Sequence, residues 1–290
     1  MAALPFDDRD GFIWLDGKLT PWREAKIHVL THGLHYGSCV FEGERVYDGK
    51  VFKLREHSQR LIDSASVLGM EIPFSVEQLD AATMETLAAN GITNGYVRPV
   101  VWRGSEMMGV AAHNTRTRVA IATWTWPSYF TPEARMRGIR LGFAAWKRPH
   151  PETAPTQAKA AGLYMICTMS KHKAEAEGYD DALMLDWRGQ VAEATGANVF
   201  FVIGNEIHTP LPDCFLNGIT RQTVIALARA KGFTVVERAI LPEEMAKASE
   251  CFITGTAAEI TPVSEIGPYR FTPGEVTKTM IAEYDSCVRA

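Results

Sequence analysis

Along the N-terminal part of the chain, apolar positions recur with two different periods. Phe12-Ile13-Trp14-Leu15 passes through Asp16-Gly17 into Lys18-Leu19-Thr20, which predicts a β-hairpin on a type I′ turn. Asp48-Gly49 repeats the signal ahead of Val51-Phe52-Lys53-Leu54. From Arg55 to Met70 the period lengthens: Leu61, Ala65 and Leu68 fall at i, i+4 and i+7, the spacing of one helical face. A second helix is predicted over Ser75 to Asn90, ended by Gly91. Gly95 to Trp102 and Arg118 to Trp126 are rich in branched and aromatic residues and read as strands.

The pattern breaks at Pro127-Ser128-Tyr129-Phe130-Thr131-Pro132, which has two prolines and no helical period. This places a smaller domain at 1–126, a connector at 127–137 and a larger domain at 138–290. In the larger domain, strands are predicted at Ile139 to Trp146, Ala182 to Asp186, Asn198 to Ile203, Phe233 to Arg238 and Glu250 to Thr254. Helices are predicted over Gln157 to Glu177, Thr220 to Lys231 and Glu275 to Val288. Strands and helices mix without strict alternation, which favours an α+β fold over a doubly wound sheet.

Composition narrows the function. The 290 residues carry a formal charge of −4, which argues against nucleic acid or an anionic membrane as partner. No apolar run reaches membrane-spanning length. Cys39, Cys167, Cys214, Cys251 and Cys287 are scattered, with no Cys-x-x-Cys, so neither a disulfide framework nor a structural zinc site is expected. Met1 to Asp10 lacks the features of a secretory signal, and the expected location is cytoplasmic.

Several segments offer chemistry. Lys159 lies in Gln157-Ala158-Lys159-Ala160-Ala161-Gly162, among residues small enough for a planar ligand to approach, although a lone lysine among alanines is ordinarily a solvated one. Tyr164 follows within reach of the same ligand, or simply packs in the core. Glu193 stands in Val191-Ala192-Glu193-Ala194, where an acid set among apolar residues needs a partner; the plain alternative is a turn glutamate facing water. Leu216-Asn217-Gly218-Ile219-Thr220 leads into a helix whose N-terminal donors suit a phosphate, and Thr256 sits in a second small-residue turn; both threonines could equally be caps. Arg60 can grip a phosphate with two nitrogens or serve a structural ion pair.

Taken in order, these segments resemble the branched-chain aminotransferases among the fold-type IV, class IV pyridoxal-phosphate enzymes. The resemblance runs through Leu34-His35-Tyr36-Gly37, Val40-Phe41-Glu42-Gly43, Arg55-Glu56-His57, Tyr96-Val97-Arg98-Pro99, Ala158-Lys159-Ala160 and Gly218-Ile219-Thr220-Arg221. It continues in Thr254-Gly255-Thr256-Ala257-Ala258-Glu259 and spans nearly the whole chain. It implies a two-domain α+β architecture, the larger domain built on a barrel-like sheet, with pyridoxal 5′-phosphate as cofactor. Lys159 would form the Schiff base and shuttle the substrate proton. Glu193 would face the pyridine nitrogen and Tyr164 the phenolate oxygen. Arg60, the Leu216 to Thr220 turn (Leu216, Gly218, Ile219, Thr220) and Thr256 would hold the phosphate.

The resemblance also implies a substrate pocket of Tyr36, Phe41, Gly43, Tyr96, Arg98, Val110, Trp126 and Tyr129, with Thr256 and Ala257 on the α-carboxylate. Arg98 would take the distal carboxylate of glutamate, so that branched-chain L-amino acids and 2-oxoglutarate share one pocket. Tyr36 and Val110 would reach in from a neighbouring subunit, which implies a homodimer or higher homo-oligomer. Glu44 replaces an apolar residue, and is expected near the pocket entrance, opposing glutamate or pairing with Arg45. Leu163 replaces an Asn, and Trp102-Arg103-Gly104 is closer to the D-amino acid aminotransferases. The rival activities are therefore a D-amino acid or (R)-amine transaminase and, in another reaction class, aminodeoxychorismate lyase.

Overall fold

The computed structural model describes residues 5–126 and 136–290; most of the connector, and Tyr129 with it, lies outside the described residues. The chain divides into two compact units. One comprises Met1–Pro127 with Ala158–Gly162, the other Ser128–Gln157 with Leu163–Ala290.

The first unit is a sheet covered by helices. Its strands are β1 (Phe12–Leu15), β2 (Lys18–Pro21), β3 (Cys39–Phe41), β4 (Glu44–Tyr47), β5 (Lys50–Val51), β6 (Gly95–Arg103) and β7 (Thr117–Thr125). They lie in the order β2-β1-β7-β6-β4-β5, with β3 also paired to β6. Asp16 and Gly17 take φ values of 47° and 99°, as the type I′ turn requires. Asp48 and Gly49 do the same at 49° and 84°. A short helix α1 (His32–Tyr36) precedes β3, while α2 (Leu54–Val67) and α3 (Val76–Ala89) pack on each other and on the sheet. Leu61, Ala65, Leu79 and Leu87 bury their side chains there with Val40, Val46, Val97 and Ile121. Ser75 and Gln78 close a capping box on α3.

The second unit is built on a closed barrel. Its strands are β8 (Ile139–Phe143), β9 (Asp181–Leu185), β10 (Val191–Ala194), β11 (Asn198–Ile203), β12 (Glu206–Pro210), β13 (Thr234–Arg238), β14 (Glu250–Gly255), β15 (Glu259–Ile266) and β16 (Tyr269–Arg270). The ring runs β10-β9-β8-β15-β14-β11 and closes through the β10–β11 pairing, a barrel of 6 strands. The register of that closing pair is Glu193 opposite Asn198. Leu141, Leu183, Val191, Val199, Phe201, Ile253 and Val263 belong to its apolar core. Helices α4 (Tyr164–Ala176), α5 (Ile219–Ala230) and α6 (Glu275–Cys287) complete the unit.

Two expectations change. The predicted helix from Gln157 begins only at Tyr164, after a 3-10 turn at Ala161–Leu163. Residues 157–160 are irregular, with Ala160 bridged to Val40, so helix-favouring alanines are overruled by a tertiary pairing. Glu193 lies in a strand, not in a turn.

Candidate active site

Because Lys159 is in neither helix nor ladder, its main-chain groups need partners from elsewhere. The Lys159 N–H donates to Ser64 Oγ on α2 at 3.1 Å, and its carbonyl accepts from the Phe41 N–H at 3.1 Å. The flanking Ala158 and Ala160 are each 3% exposed, whereas Lys159 itself is only partly buried. Its Nζ lies 4.8 Å from the centre of the Phe41 ring.

Arg60 is fixed by a fork. Its Nε and Nη2 donate to the two oxygens of Glu42 at 2.7 Å each, and the same carboxylate accepts from His57 Nδ1 at 2.8 Å. Glu42 is fully buried. Burial alone would raise its pKa, but the Arg60 charge and the bonds from His57 and Arg60 hold it well below the usual carboxylate range. For His57, burial outweighs the Glu42 carboxylate and lowers the imidazole pKa.

Glu44 is not at a pocket entrance. It is 1% exposed, and neither carboxylate oxygen has a hydrogen-bond partner among the described residues. Burial first, then the charges of Glu42 and Asp80, push its pKa well above the ordinary range, which favours the protonated form. Neither expected role, repelling glutamate or neutralising Arg45, suits a side chain shut in the interior with no hydrogen-bond partner among the described residues.

Of the residues expected to line the pocket, Phe41 and Tyr96 lie beside Arg98 on β6. Its guanidinium lies 4.8 Å from the Phe41 ring centre and 5.4 Å from that of Tyr96, and its Nη2 donates to the Tyr96 hydroxyl at 3.2 Å. Tyr96 in turn packs 5.1 Å from Trp126. Gly43 makes room for it, because a Cβ there would collide with the Tyr96 hydroxyl. Arg98 also lines a cavity of about 600 Å³ with Leu34, Val100, Trp102, Ala122 and Gly162. Tyr36, stacked 4.6 Å from His32, is half exposed, and Val110 is 87% exposed. Arg103, suspected of a substrate role, is otherwise engaged: its Nη2 donates to the Leu68 and Gly69 carbonyls at 3.0 and 2.8 Å, just past the end of α2.

In the second unit, Glu193 sits where the barrel closes. Asn198 Nδ2 donates to it at 3.3 Å and also to the Leu216 carbonyl at 3.1 Å, while Arg148 Nε stands 3.5 Å from its other oxygen. Asn198 thus ties the acid to the turn before α5. That helix begins on Gly218 without a side-chain cap, so the first-turn N–H groups at Ile219 and Thr220 are not taken by a capping side chain. A Cβ at Gly218 would strike Asn198 Oδ1. Thr256 and Ala257 form the turn between β14 and β15. Tyr164, half-buried, opens α4, and the apolar Leu163 before it makes no side-chain cap. Asp186 and Asp213 are bridged by Arg188 at 2.6 and 2.8 Å, an ion pair rather than a vacancy for a cation.

The model of amino-transferase class IV matches residues 39–266. The chain belongs to the class IV aminotransferases. It is 43% identical over 263 residues to the branched-chain-amino-acid aminotransferase of Pseudomonas aeruginosa, covering 89% of this chain and 86% of that one. The structure resembles the branched-chain aminotransferase of the archaeon Thermoproteus uzoniensis with norvaline, with a TM-score of 0.91 and 38% identity over 96% of this chain and 94% of that one. It also resembles the branched-chain amino acid aminotransferase of Thermobaculum terrenum in its PLP-bound holo form, with a TM-score of 0.88 and 30% identity, over 96% and 94%. For a class IV aminotransferase, sequence reading passed over Ser64, His57, Arg148 and Asn198. His57 lay inside a matching segment and Asn198 at the start of a predicted strand, but nothing local showed which residues they would hold.

Proposed function

We propose that this class IV aminotransferase transfers amino groups between branched-chain L-amino acids and 2-oxoglutarate in a ping-pong cycle, with pyridoxal 5′-phosphate as cofactor. The observation that carries the reading is Phe41, whose ring has Lys159 Nζ and the Arg98 guanidinium each 4.8 Å from its centre. An aromatic wall next to a reactive amine suits an aliphatic side chain, and a cation on that wall suits the second carboxylate of glutamate. The named activity of its relatives points the same way.

The residues present fit the cofactor. The uncapped start of α5 offers donors for a phosphate, and a partly buried carboxylate at Glu193, held by Asn198 and Arg148, suits a protonated ring nitrogen. When bound, the cofactor supplies an electron sink for the pair released as the substrate Cα–H bond breaks. Lys159 Nζ would hold the cofactor and move the proton at the substrate Cα. Glu193 would keep the ring nitrogen protonated and Tyr164 would hydrogen-bond the phenolate oxygen. Arg60, its guanidinium oriented by Glu42, the Gly218-Ile219-Thr220 backbone and Thr256 would each offer donors to the phosphate. The Thr256-Ala257 turn receives the α-carboxylate. Tyr36, Gly43, Tyr96, Val110 and Trp126 would line the pocket.

A cytoplasmic homodimer belongs to this proposal, supported by the exposed apolar side chains of Ile27, Val29, Leu34, Tyr36 and Val110. The test is a donor panel of L-leucine, D-alanine and an (R)-aryl amine, each with 2-oxoglutarate or pyruvate. L-leucine with 2-oxoglutarate is expected to be fastest; no transfer from L-leucine sinks the reading. Lys159→Ala should abolish both turnover and the absorption of the lysine-bound cofactor.

A further inference from the structure

Helix α2 turns three polar side chains toward the sheet, at spacings of one helical face: His57, Arg60 and Ser64. The first two meet the Glu42 carboxylate, and the third accepts the Lys159 N–H at 3.1 Å. Ser64 is 2% exposed, and the residues it joins are 95 apart in sequence. Lys159 has no regular structure of its own to hold it. Its N–H is tied to α2 and its carbonyl to the Phe41 N–H, so the peptide groups on either side of its Cα are both anchored.

We propose that Ser64 is a positioning residue for Lys159: its hydroxyl anchors the lysine main chain to the same rigid helical face that carries Arg60. The proposal rests on the reading of Lys159 as the lysine that carries the cofactor. The physical argument is geometric. A lysine that leaves the cofactor and then serves as base must return to one place, and its four-carbon stem leaves the Cα as the only point that can be fixed. Moving that Cα shifts Nζ relative to the substrate proton, and displacements on the order of 1 Å cost roughly 100-fold in rate. Without the Ser64 oxygen, the Phe41 bond remains, so a partial loss is expected and not a dead enzyme.

The experiment compares the parent holoenzyme with Ser64→Ala, Ser64→Cys and Ser64→Thr. The single-turnover half-reaction with L-leucine should slow about 10-fold in Ser64→Ala, with KM changed less than about 2-fold, because placement and not binding is lost. Hydrogen exchange of the peptide containing Lys159 should accelerate in Ser64→Ala, in both loaded and cofactor-free protein. Ser64→Thr, which keeps the acceptor oxygen, should restore both. Ser64→Cys has a weak acceptor and similar size; it carries the test if Ser64→Ala does not fold, and should show the same loss. A loaded Ala or Cys variant with parental half-reaction rate and parental exchange overturns the proposal. Lys159→Ala separates the two levels: if the lysine-bound absorption persists there, the reading of Lys159 itself fails. If it vanishes while the serine variants behave as the parent, only the role of Ser64 fails.

Discussion

Glu42 and Glu44 stand two residues apart, are shut off from water to the same degree, and both feel the charge of Arg60. Their chemistry is opposite. Glu42 has a guanidinium fork and an imidazole on its oxygens, which favour the ionised form; the Glu44 carboxyl has no hydrogen-bond partner among the described residues, and its burial favours the protonated form. Burial imposes a similar penalty on both, so what separates them is the supply of donors. The acid with donors orients Arg60. The one without them is a cost in stability.

The comparison breaks most sharply at Glu42. Glu42→Leu leaves Arg60 and His57 facing each other without a carboxylate, and should lower stability by about 3–5 kcal/mol in denaturant unfolding of the cofactor-free protein. Cofactor affinity should fall with it, read by equilibrium dialysis, if Arg60 holds the phosphate. The parent should also lose stability on acidification. The folded pKa of Glu42 lies below its ordinary 4.5, so its contribution is present above that pH and is lost as pH falls through the folded value. His57 has a folded pKa below 6.5 and adds a loss with the same sign that starts below that pH.

Glu44→Leu should act in the opposite direction, a gain of about 1–3 kcal/mol, because it removes a buried carboxyl without a partner. The folded pKa of Glu44 lies above 4.5, so at higher pH the unfolded chain gains by ionising while the folded one does not. The advantage of Glu44→Leu should therefore widen as pH rises from that value, measured as unfolding free energy at several pH values. A constant difference would mean that Glu44 is ionised in the folded protein. The smallest effect is expected away from the pair. Arg103→Met should cost about 0.3–1 kcal/mol through the lost cap on α2 and leave the donor preference unchanged. A switch toward D-alanine would restore Arg103 to the substrate question.

How much of this was legible varied with the range of the interactions. Arg60, His57 and Ser64 were on a predicted helix, so their shared face followed from spacing, but their partners at Glu42 and Lys159 did not. Lys159 was the easiest residue to select and the hardest to place. Its alanine neighbours predict a helix, and only the bridge from Ala160 to Val40 pulls the segment out of one. Glu44 was visible as a departure, but which side of the sheet buried it was not. Arg103 had invited a substrate role that its bonds to the Leu68 and Gly69 carbonyls do not support. Glu193 was read as a partnered acid or a turn residue, and its position opposite Asn198 at the barrel seam required the whole ring of strands.

The sequence by itself determined the two Asp-Gly turns, helices α2 and α3, the glycine start of α5 and the family motifs. These depend on backbone preference and on contacts within a few residues, which a short segment carries intact. The tertiary structure alone decided that Lys159 is held outside any helix, that the Glu44 carboxyl is buried without a hydrogen-bond partner among the described residues, and that Ser64 and Asn198 each hold a residue singled out for chemistry. Those outcomes rest on single hydrogen bonds and on burial between distant segments, and the free energy of such contacts exists only once the chain has closed around them.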